Sequence, residues 1–255
     1  MRIAAFSDIH GNIVALDAVL ADIESQGGVD AFWVLGDLVA LGPSPVQVLE
    51  RLVSLPNVRI VRGNTDRYVY TGSDRPFPSI EQARDSPHLL PNLVECAATF
   101  SWTQGALTPG AWITWLENLP LEIEATLPDG TRVLGVHAAP GRDEGLGLKA
   151  GLNHRELAEI VADCKADLIM AGHHHQIIDE RVGHRHLVNL GSVSNPFAPD
   201  LRASYVLLDA DSHGYTLRHR RVDYDRETVI REMLRVRHPA AGVVISFLAG
   251  QRNPH

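Results

Sequence analysis

The chain has 255 residues, of which 45% are hydrophobic and 21% are charged, and its formal net charge is −8 at neutral pH. This composition is typical of a folded protein with a substantial core, and it excludes long disordered stretches. The acidic balance argues against nonspecific binding to a nucleic-acid backbone.

The first third of the chain alternates short apolar runs with amphipathic ones. Residues 3–6 and 31–35 are apolar, residues 58–61 are apolar except for Arg59, and all three runs predict strands. Residues 12–24 and 46–53 carry apolar side chains at helical spacing and predict the helices between those strands. This β-α-β-α-β order predicts a mostly parallel sheet with right-handed crossovers.

The middle of the chain does not follow this alternation of strands and helices. Residues 68–120 are rich in proline, glycine, serine and tryptophan. We interpret them as an insertion with short helices, one of them at residues 109–117, within a single domain spanning residues 1–255. The later part of the chain predicts strands at 121–127, 131–136, 167–170, 177–182, 186–190, 204–209 and 215–222, and helices at 153–162 and 225–236.

Two features bear on the compartment. Cys96 and Cys164 belong to no CxxC pair, which favours a reducing environment over a disulfide scaffold. The opening residues, MRIAAFSDIHGN, do not resemble a signal peptide, and no window approaches the roughly 20 apolar residues of a spanning helix. We therefore expect a cytoplasmic protein without membrane contact.

Five polar motifs follow directly after predicted strands. They are Asp8-Ile9-His10, Gly36-Asp37, Gly63-Asn64, His137, and Gly172-His173-His174-His175. In open α/β sheets the ligand crevice lies beyond the carboxyl ends of the strands. We therefore expect the five motifs to converge on one edge of one sheet.

The chemistry of these motifs predicts a metal site. Carboxylate, imidazole and amide groups are ligands of divalent manganese, iron and zinc. Seven such groups exceed what one tetrahedral ion uses, and a carboxylate can bridge two ions. The candidate metal ligands are Asp8, His10, Asp37, Asn64, His137, His173 and His175. We expect two divalent ions, with manganese as the first choice and iron, zinc or nickel as alternatives.

The ordered set DIH…GD…GN…H…GHHH resembles the calcineurin-like metallophosphoesterases, and SDIHGN and GDLVALGPSP resemble their small bacterial and archaeal phosphodiesterase branch. The resemblance implies a four-layer α/β/β/α sandwich of two mixed sheets. It implies that Asp8, His10, Asp37 and His175 hold one ion. It implies that Asp37, Asn64, His137 and His173 hold the other, with Asp37 bridging.

The resemblance also implies a reaction, hydrolysis of a phosphoester, most simply a diester, by hydroxide held at the dinuclear centre. Asp37, Asn64 and His137 are the expected catalytic residues. Many relatives read GNHE or GNHD, where the histidine assists the leaving group, but this chain has Thr65 at that position, and His174 is an extra imidazole. The substrate is expected to be a small phosphoester.

Other interpretations stay open at this stage. Phosphomonoesterase, phosphoprotein phosphatase and dinucleotide polyphosphatase activities all fit the same site, as does a binding scaffold without turnover. Each candidate ligand, taken alone, is also a common turn or strand-end residue. Four further polar residues are more typical of solvated or structural positions than of phosphate contacts: Arg62, His88, Arg142 and Ser192.

Overall fold

The computed structural model describes residues 1–72 and 78–251, whose strands form two five-stranded sheets. The first sheet contains, side by side, β10 (Gly214–Val222), β9 (Ala203–Asp211), β1 (Arg2–Phe6), β2 (Ala31–Leu35) and β3 (Val58–Val61). The second contains β4 (Glu122–Thr126), β5 (Arg132–Val136), β6 (Leu168–Ala171), β8 (Arg185–Leu190) and β7 (Ile177–Val182).

Strand direction follows from the connections. β1, β2 and β3 are parallel because α1 (Ile13–Ser25) and α2 (Pro45–Val53) cross between them. In the same sheet β9 pairs antiparallel with β1, and β10 pairs antiparallel with β9. In the second sheet β5, β6 and β8 are parallel, and β4 and β7 lie antiparallel at its two edges. Both sheets are mixed, as predicted.

Three apolar cores separate four layers. Alternate residues of β1 point to opposite faces, so Ala4 and Phe6 pack against helices while Ile3 and Ala5 pack against the second sheet. The outer face of the second sheet packs against α7 (His154–Ile160) in a third core. The predicted α/β/β/α sandwich is confirmed.

The described residues of the middle segment form the α-helices α3 (Asn64–Thr71), α4 (Ile80–Asp85), α5 (Leu90–Leu107) and α6 (Trp112–Glu117). The prediction of short helices is wrong for α5, which has 18 residues. Its proline lies in the first turn, where the missing N–H has no intrahelical partner to lose.

Several apolar side chains of the middle segment join the first core, among them Phe100, Leu107 and Leu116. This sharing supports the interpretation of one domain with an insertion, which stays a prediction. Residues 73–77 of the predicted insertion lie outside the described residues.

The chain closes with α8 (Arg226–Arg235), as predicted, and α9 (Ala241–Leu248), which was not predicted. α9 is apolar on almost every side in sequence, so it shows no helical period. None of the helices in the described ranges is long and apolar enough to cross a membrane.

One ion pair ties α1 to the first sheet. Asp22 accepts hydrogen bonds from Nε and Nη2 of Arg220 at 2.9 and 2.8 Å and from the Tyr205 hydroxyl at 2.7 Å. The Arg220 guanidinium, aided by Tyr205, holds the pKa of Asp22 below its ordinary value of 3.8. The carboxylate therefore stabilises the fold above that value and less as the pH falls through the lowered pKa.

We expect Asp22→Asn to lower the free energy of unfolding by about 1–2 kcal/mol at neutral pH, because it weakens charge-assisted hydrogen bonds. Urea unfolding measures this loss, and the difference from wild type narrows in acid. The matched control is Asp17→Asn on the same helix, whose partner Arg51 is 48% exposed, and which should cost no more than about 0.5 kcal/mol. Equal losses in the two variants would contradict the prediction.

Candidate metal centre

The candidate ligands follow the carboxyl ends of five strands. Three of these strands, β1, β2 and β3, belong to the first sheet, and two, β5 and β6, belong to the second. The expectation that the motifs meet at the edge of one sheet is therefore wrong: they meet where the edges of two packed sheets lie side by side. Hydrogen bonds join the loops, including one from the His173 N–H to Oδ2 of Asp8 across the two sheets at 3.1 Å.

The backbone at these positions is bent sharply. Five candidate ligands have positive φ angles: Asp8 at 58°, His10 at 48°, Asp37 at 55°, His173 at 71° and His175 at 60°. Among the residues that the structure describes, only eight non-glycine residues have such angles. This conformation costs on the order of 1 kcal/mol per residue and concentrates at functional sites. The sharp bend directs the side chains of Asp8 and His10, two positions apart in the chain, into the same cluster.

The first cluster consists of Asp8, His10, Asp37 and His175. One ligand atom from each residue can be chosen so that all four atoms lie within 4.8 Å of one another, and all four residues are buried. Nε2 of His175 lies 3.1 Å from Oδ1 of Asp8 and 3.3 Å from Nε2 of His10.

The second cluster consists of Asp37, Asn64, His137 and His173. Oδ1 of Asn64 lies 3.0 Å from both Nε2 of His137 and Nδ1 of His173. The two oxygens of Asp37 face different clusters: Oδ1 is 3.3 Å from Nε2 of His137, and Oδ2 is 3.6 Å from Nε2 of His10. The structure thus brings together all seven predicted ligands, with Asp37 between the two groups.

Backbone carbonyls orient three of the imidazoles from outside. Nδ1 of His137 donates to the Leu35 carbonyl at 2.7 Å, and Nδ1 of His175 donates to the Asn195 carbonyl at 2.9 Å. Nε2 of His173 donates to the Gly145 carbonyl at 3.2 Å. In each ring the other nitrogen faces the cluster, which is the arrangement that metal-ligating histidines adopt.

The electrostatics of Asp8 and His173 favour the protonation states that bind metal. Burial acts to raise the pKa of Asp8, but the neighbouring His175, His137 and His10 imidazoles outweigh it and hold that pKa well below its ordinary value. Burial, with the nearby His137, lowers the pKa of His173 to about 3. An ionised carboxylate and a neutral imidazole are the forms that bind metal.

The donor set fits a divalent cation. The ion-pair partners of Asp8 and Asp37 among the described residues are histidines, so two buried carboxylates face imidazoles instead of lysine or arginine. Oδ1 of Asp8 is buried and accepts no hydrogen bond. Buried charges of this kind are normally paired or bound to metal. A cation bound between the Asp8 and Asp37 carboxylates would compensate their buried negative charge and would give Oδ1 of Asp8 a partner.

Asp66 is a site residue that the sequence reasoning missed. It is fully buried, and its two oxygens accept the N–H groups of Leu38 at 2.9 Å and Gly63 at 2.8 Å. These residues adjoin Asp37 and Asn64, so one carboxylate joins two ligand loops. Burial and then the Asp37 charge raise the pKa of Asp66. The available signal was the spacing from Gly63, because an acid at the third helical position commonly binds the N-cap N–H.

The remaining polar candidates have other contacts. Nε2 of His174 donates to the Leu146 carbonyl at 2.6 Å, and the Ser192 hydroxyl donates to the Asp8 carbonyl at 3.1 Å. The Thr65 N–H donates to Oδ1 of Asp37 at 3.0 Å, while the Thr65 hydroxyl oxygen is buried without a hydrogen bond. Arg62 pairs with Asp143.

Comparison with known proteins decides the family. The model of the calcineurin-like phosphoesterase superfamily domain matches residues 1–213. The chain belongs to this superfamily. It is therefore a phosphoester hydrolase, and its buried Asp and His cluster is suited to metal binding.

Two relatives match nearly the whole chain. The uncharacterized protein MJ0912 of Methanocaldococcus jannaschii is 28% identical over 254 residues, which cover 93% of each chain. The crystal structure of a metallophosphoesterase from Sphaerobacter thermophilus has 27% identity and a TM-score of 0.75, and the match covers 99% of this chain and 100% of that one.

A third relative matches only in part. The symmetrical bis(5'-nucleosyl)-tetraphosphatase of Pectobacterium atrosepticum is 44% identical over 75 residues. The match covers 28% of this chain and spans only 27% of the length of that enzyme.

We predict that Gly63→Ala removes metal binding. A Cβ at Gly63 would lie 2.1 Å from Oδ1 of Asp37 and 2.3 Å from its backbone nitrogen, so the Asp37 carboxylate must move. The matched control is Gly105→Ala in α5, where a Cβ meets nothing within 4 Å and alanine should stabilise the helix by roughly 0.5–1 kcal/mol. Metal content and urea unfolding of both variants test this, and full metal content in Gly63→Ala would contradict it.

Proposed function

We propose that the chain is a phosphodiesterase with a dinuclear metal centre. The observation that carries the proposal is the pair of clusters that share Asp37, each with three further ligand atoms. Asp8, His10 and His175 complete the first position, and Asn64, His137 and His173 complete the second. Manganese remains the first expectation for both, because nitrogen and oxygen donors without thiolate suit it.

The reaction joins water to phosphorus and breaks the bond to the ester oxygen, which departs and finally carries a proton. Two divalent ions, when bound, supply charge stabilisation for the phosphoryl oxygens and lower the pKa of water. The protein supplies the rigid frame. Backbone carbonyls lock three imidazoles, Asp66 holds the Asp37 and Asn64 loops at a fixed spacing, and the Thr65 N–H orients Asp37.

A dinucleotide polyphosphate is the second candidate substrate. The 75-residue match to the symmetrical bis(5'-nucleosyl)-tetraphosphatase favours it. A panel containing an aryl phosphodiester, an aryl phosphomonoester, a dinucleotide tetraphosphate and a phosphopeptide, each with added Mn²⁺, separates the candidates. We expect the diester to give the highest kcat/KM, and a clear preference for the tetraphosphate would support the second candidate.

Asp37→Ala should abolish activity and lower the metal content more than any other single ligand change. Losing the carboxylate that serves both positions should cost several kcal/mol of transition-state stabilisation, or at least about 10³ in rate. His10→Ala is the matched control, because it removes a ligand from the first position alone and should leave the other ion bound. Metal analysis of purified protein measures both, and a metal content near wild type in Asp37→Ala would rule out the shared carboxylate.

Thr65 predicts a preference for acidic leaving groups. An imidazole at this position could donate a proton to the departing oxygen, which is worth about 10²–10⁴ in rate, whereas a hydroxyl is too weak an acid. We expect aryl diesters to be cleaved much faster than alkyl diesters, and Thr65→His to narrow the gap. Thr65→Val controls for altered packing and should keep the gap. Equal rates on both diesters in the wild type would show that another residue is the acid.

A further inference from the structure

A glycine-rich loop, residues 139–149, begins two residues after His137 and lies across the histidine motif. Three of its carbonyl groups accept side-chain hydrogen bonds: Gly145 from Nε2 of His173 at 3.2 Å, Leu146 from Nε2 of His174 at 2.6 Å, and Leu148 from Nδ2 of Asn189 at 2.9 Å. The loop is therefore part of the surroundings of the second cluster. Its position decides where the His173 ring points.

Five side chains, which we call the clasp, hold this loop: Arg62, Arg67, Tyr68, Asp143 and Glu144. Nε of Arg67 lies 3.0 Å from Oδ2 of Asp143, and its Nη2 lies 2.6 Å from Oε2 of Glu144. Nε of Arg62 donates to Asp143 at 3.1 Å, and the Tyr68 hydroxyl donates to Glu144.

The clasp is more than an exposed surface pair. The side chain of Arg67 is only 14% exposed and that of Asp143 only 9%. Exposed ion pairs contribute little, but removing one partner of a buried pair leaves an uncompensated charge and forces the segment to move. The loop is thus fixed mainly at Asp143, two residues before the Gly145 carbonyl that binds His173, and Glu144, whose side chain is 37% exposed, adds a second contact to Arg67.

The clasp also joins the two sides of the second cluster. Arg62 and Arg67 flank Asn64 in the chain, whereas Asp143 and Glu144 belong to the loop that orients His173. Oδ1 of Asn64 and Nδ1 of His173 lie 3.0 Å apart. A fixed loop keeps these two ligand atoms facing the same point.

We propose that Arg67 and Glu144 are positioning residues for the second metal position, acting through Gly145 on His173. This inference rests on the proposed dinuclear centre. It predicts that breaking the clasp weakens binding of the ion at the second position and spares the ion at the first, since the loop that the clasp holds orients His173, a ligand of the second position.

If the charges of Arg67 and Glu144 acted only through their electrostatic effect on the bound ion, the two variants would change the metal affinity in opposite directions. Near a cation site, removing the negative charge of Glu144 should weaken metal binding, and removing the positive charge of Arg67 should strengthen it. If the clasp acts by position, both changes weaken the second ion. Glu144→Gln and Arg67→Gln therefore separate the two explanations by the sign of the effect.

The experiment is a titration of metal-free protein with Mn²⁺, followed by calorimetry and by electron paramagnetic resonance, which distinguishes a coupled ion pair from isolated ions. We expect two ions per wild-type chain. In both variants the ion at the first position should bind as in wild type. The affinity for the ion at the second position should fall by about 10-fold or more, as is typical when a group that orients a ligand is lost.

The control is Arg132→Gln, which breaks the ion pair with Asp167 at the opposite end of β5. It should leave both ions unchanged, and circular dichroism checks that all variants fold. Tighter second-ion binding in Arg67→Gln, or unchanged binding in both clasp variants, overturns the positioning role alone. A wild-type chain that binds one ion overturns the dinuclear proposal and this inference with it.

Discussion

Asp8 and Asp37 are buried side by side among histidines, and this electrostatic constraint governs how the surrounding loops are built. Within residues 1–72 and 78–251 the ion-pair partners of these two carboxylates are histidines and not lysine or arginine, and such buried charges are costly inside a protein. The surrounding fold holds these carboxylates and imidazoles in a geometry that suits cation binding. The loops that carry the candidate ligands take left-handed turns, and backbone carbonyls and a further buried acid, Asp66, hold them in place.

The same constraint explains why the centre lies between two sheets. A single parallel sheet offers one row of strand ends, so ligands beyond its first three strands would lie progressively farther away. Packing a second sheet against the first brings the His137 and His173 loops next to the Asp8 and Asp37 loops. The inter-sheet core, which includes Trp33, Leu168 and Met170, is therefore also the support of the site.

The candidate ligands, which the structure brings together, could be selected from the sequence because each motif is local to a strand end. Asp8, Asp37 and Asn64 follow predicted strands within three residues, and ligands in such folds bind beyond the ends of the strands. The assignment of strands to two sheets could not be derived from periodicity, which is the same in both, and came only from the family resemblance. α9 and the length of α5 were missed because uniform apolarity and proline hide helical spacing. The contact of Asp66 with Gly63 could be predicted from their spacing, but its contact with Leu38 and the ion pairs of the clasp join residues far apart in sequence, so these become visible only in three dimensions.

The most direct test of the account is anomalous diffraction from crystals of the protein grown with Mn²⁺. The account predicts two anomalous peaks roughly 3.5–4 Å apart, the separation typical of two-metal sites. Asp37 should lie between them, with Asp8, His10 and His175 at one peak and Asn64, His137 and His173 at the other. A single peak, or two peaks that do not share Asp37, would contradict the account.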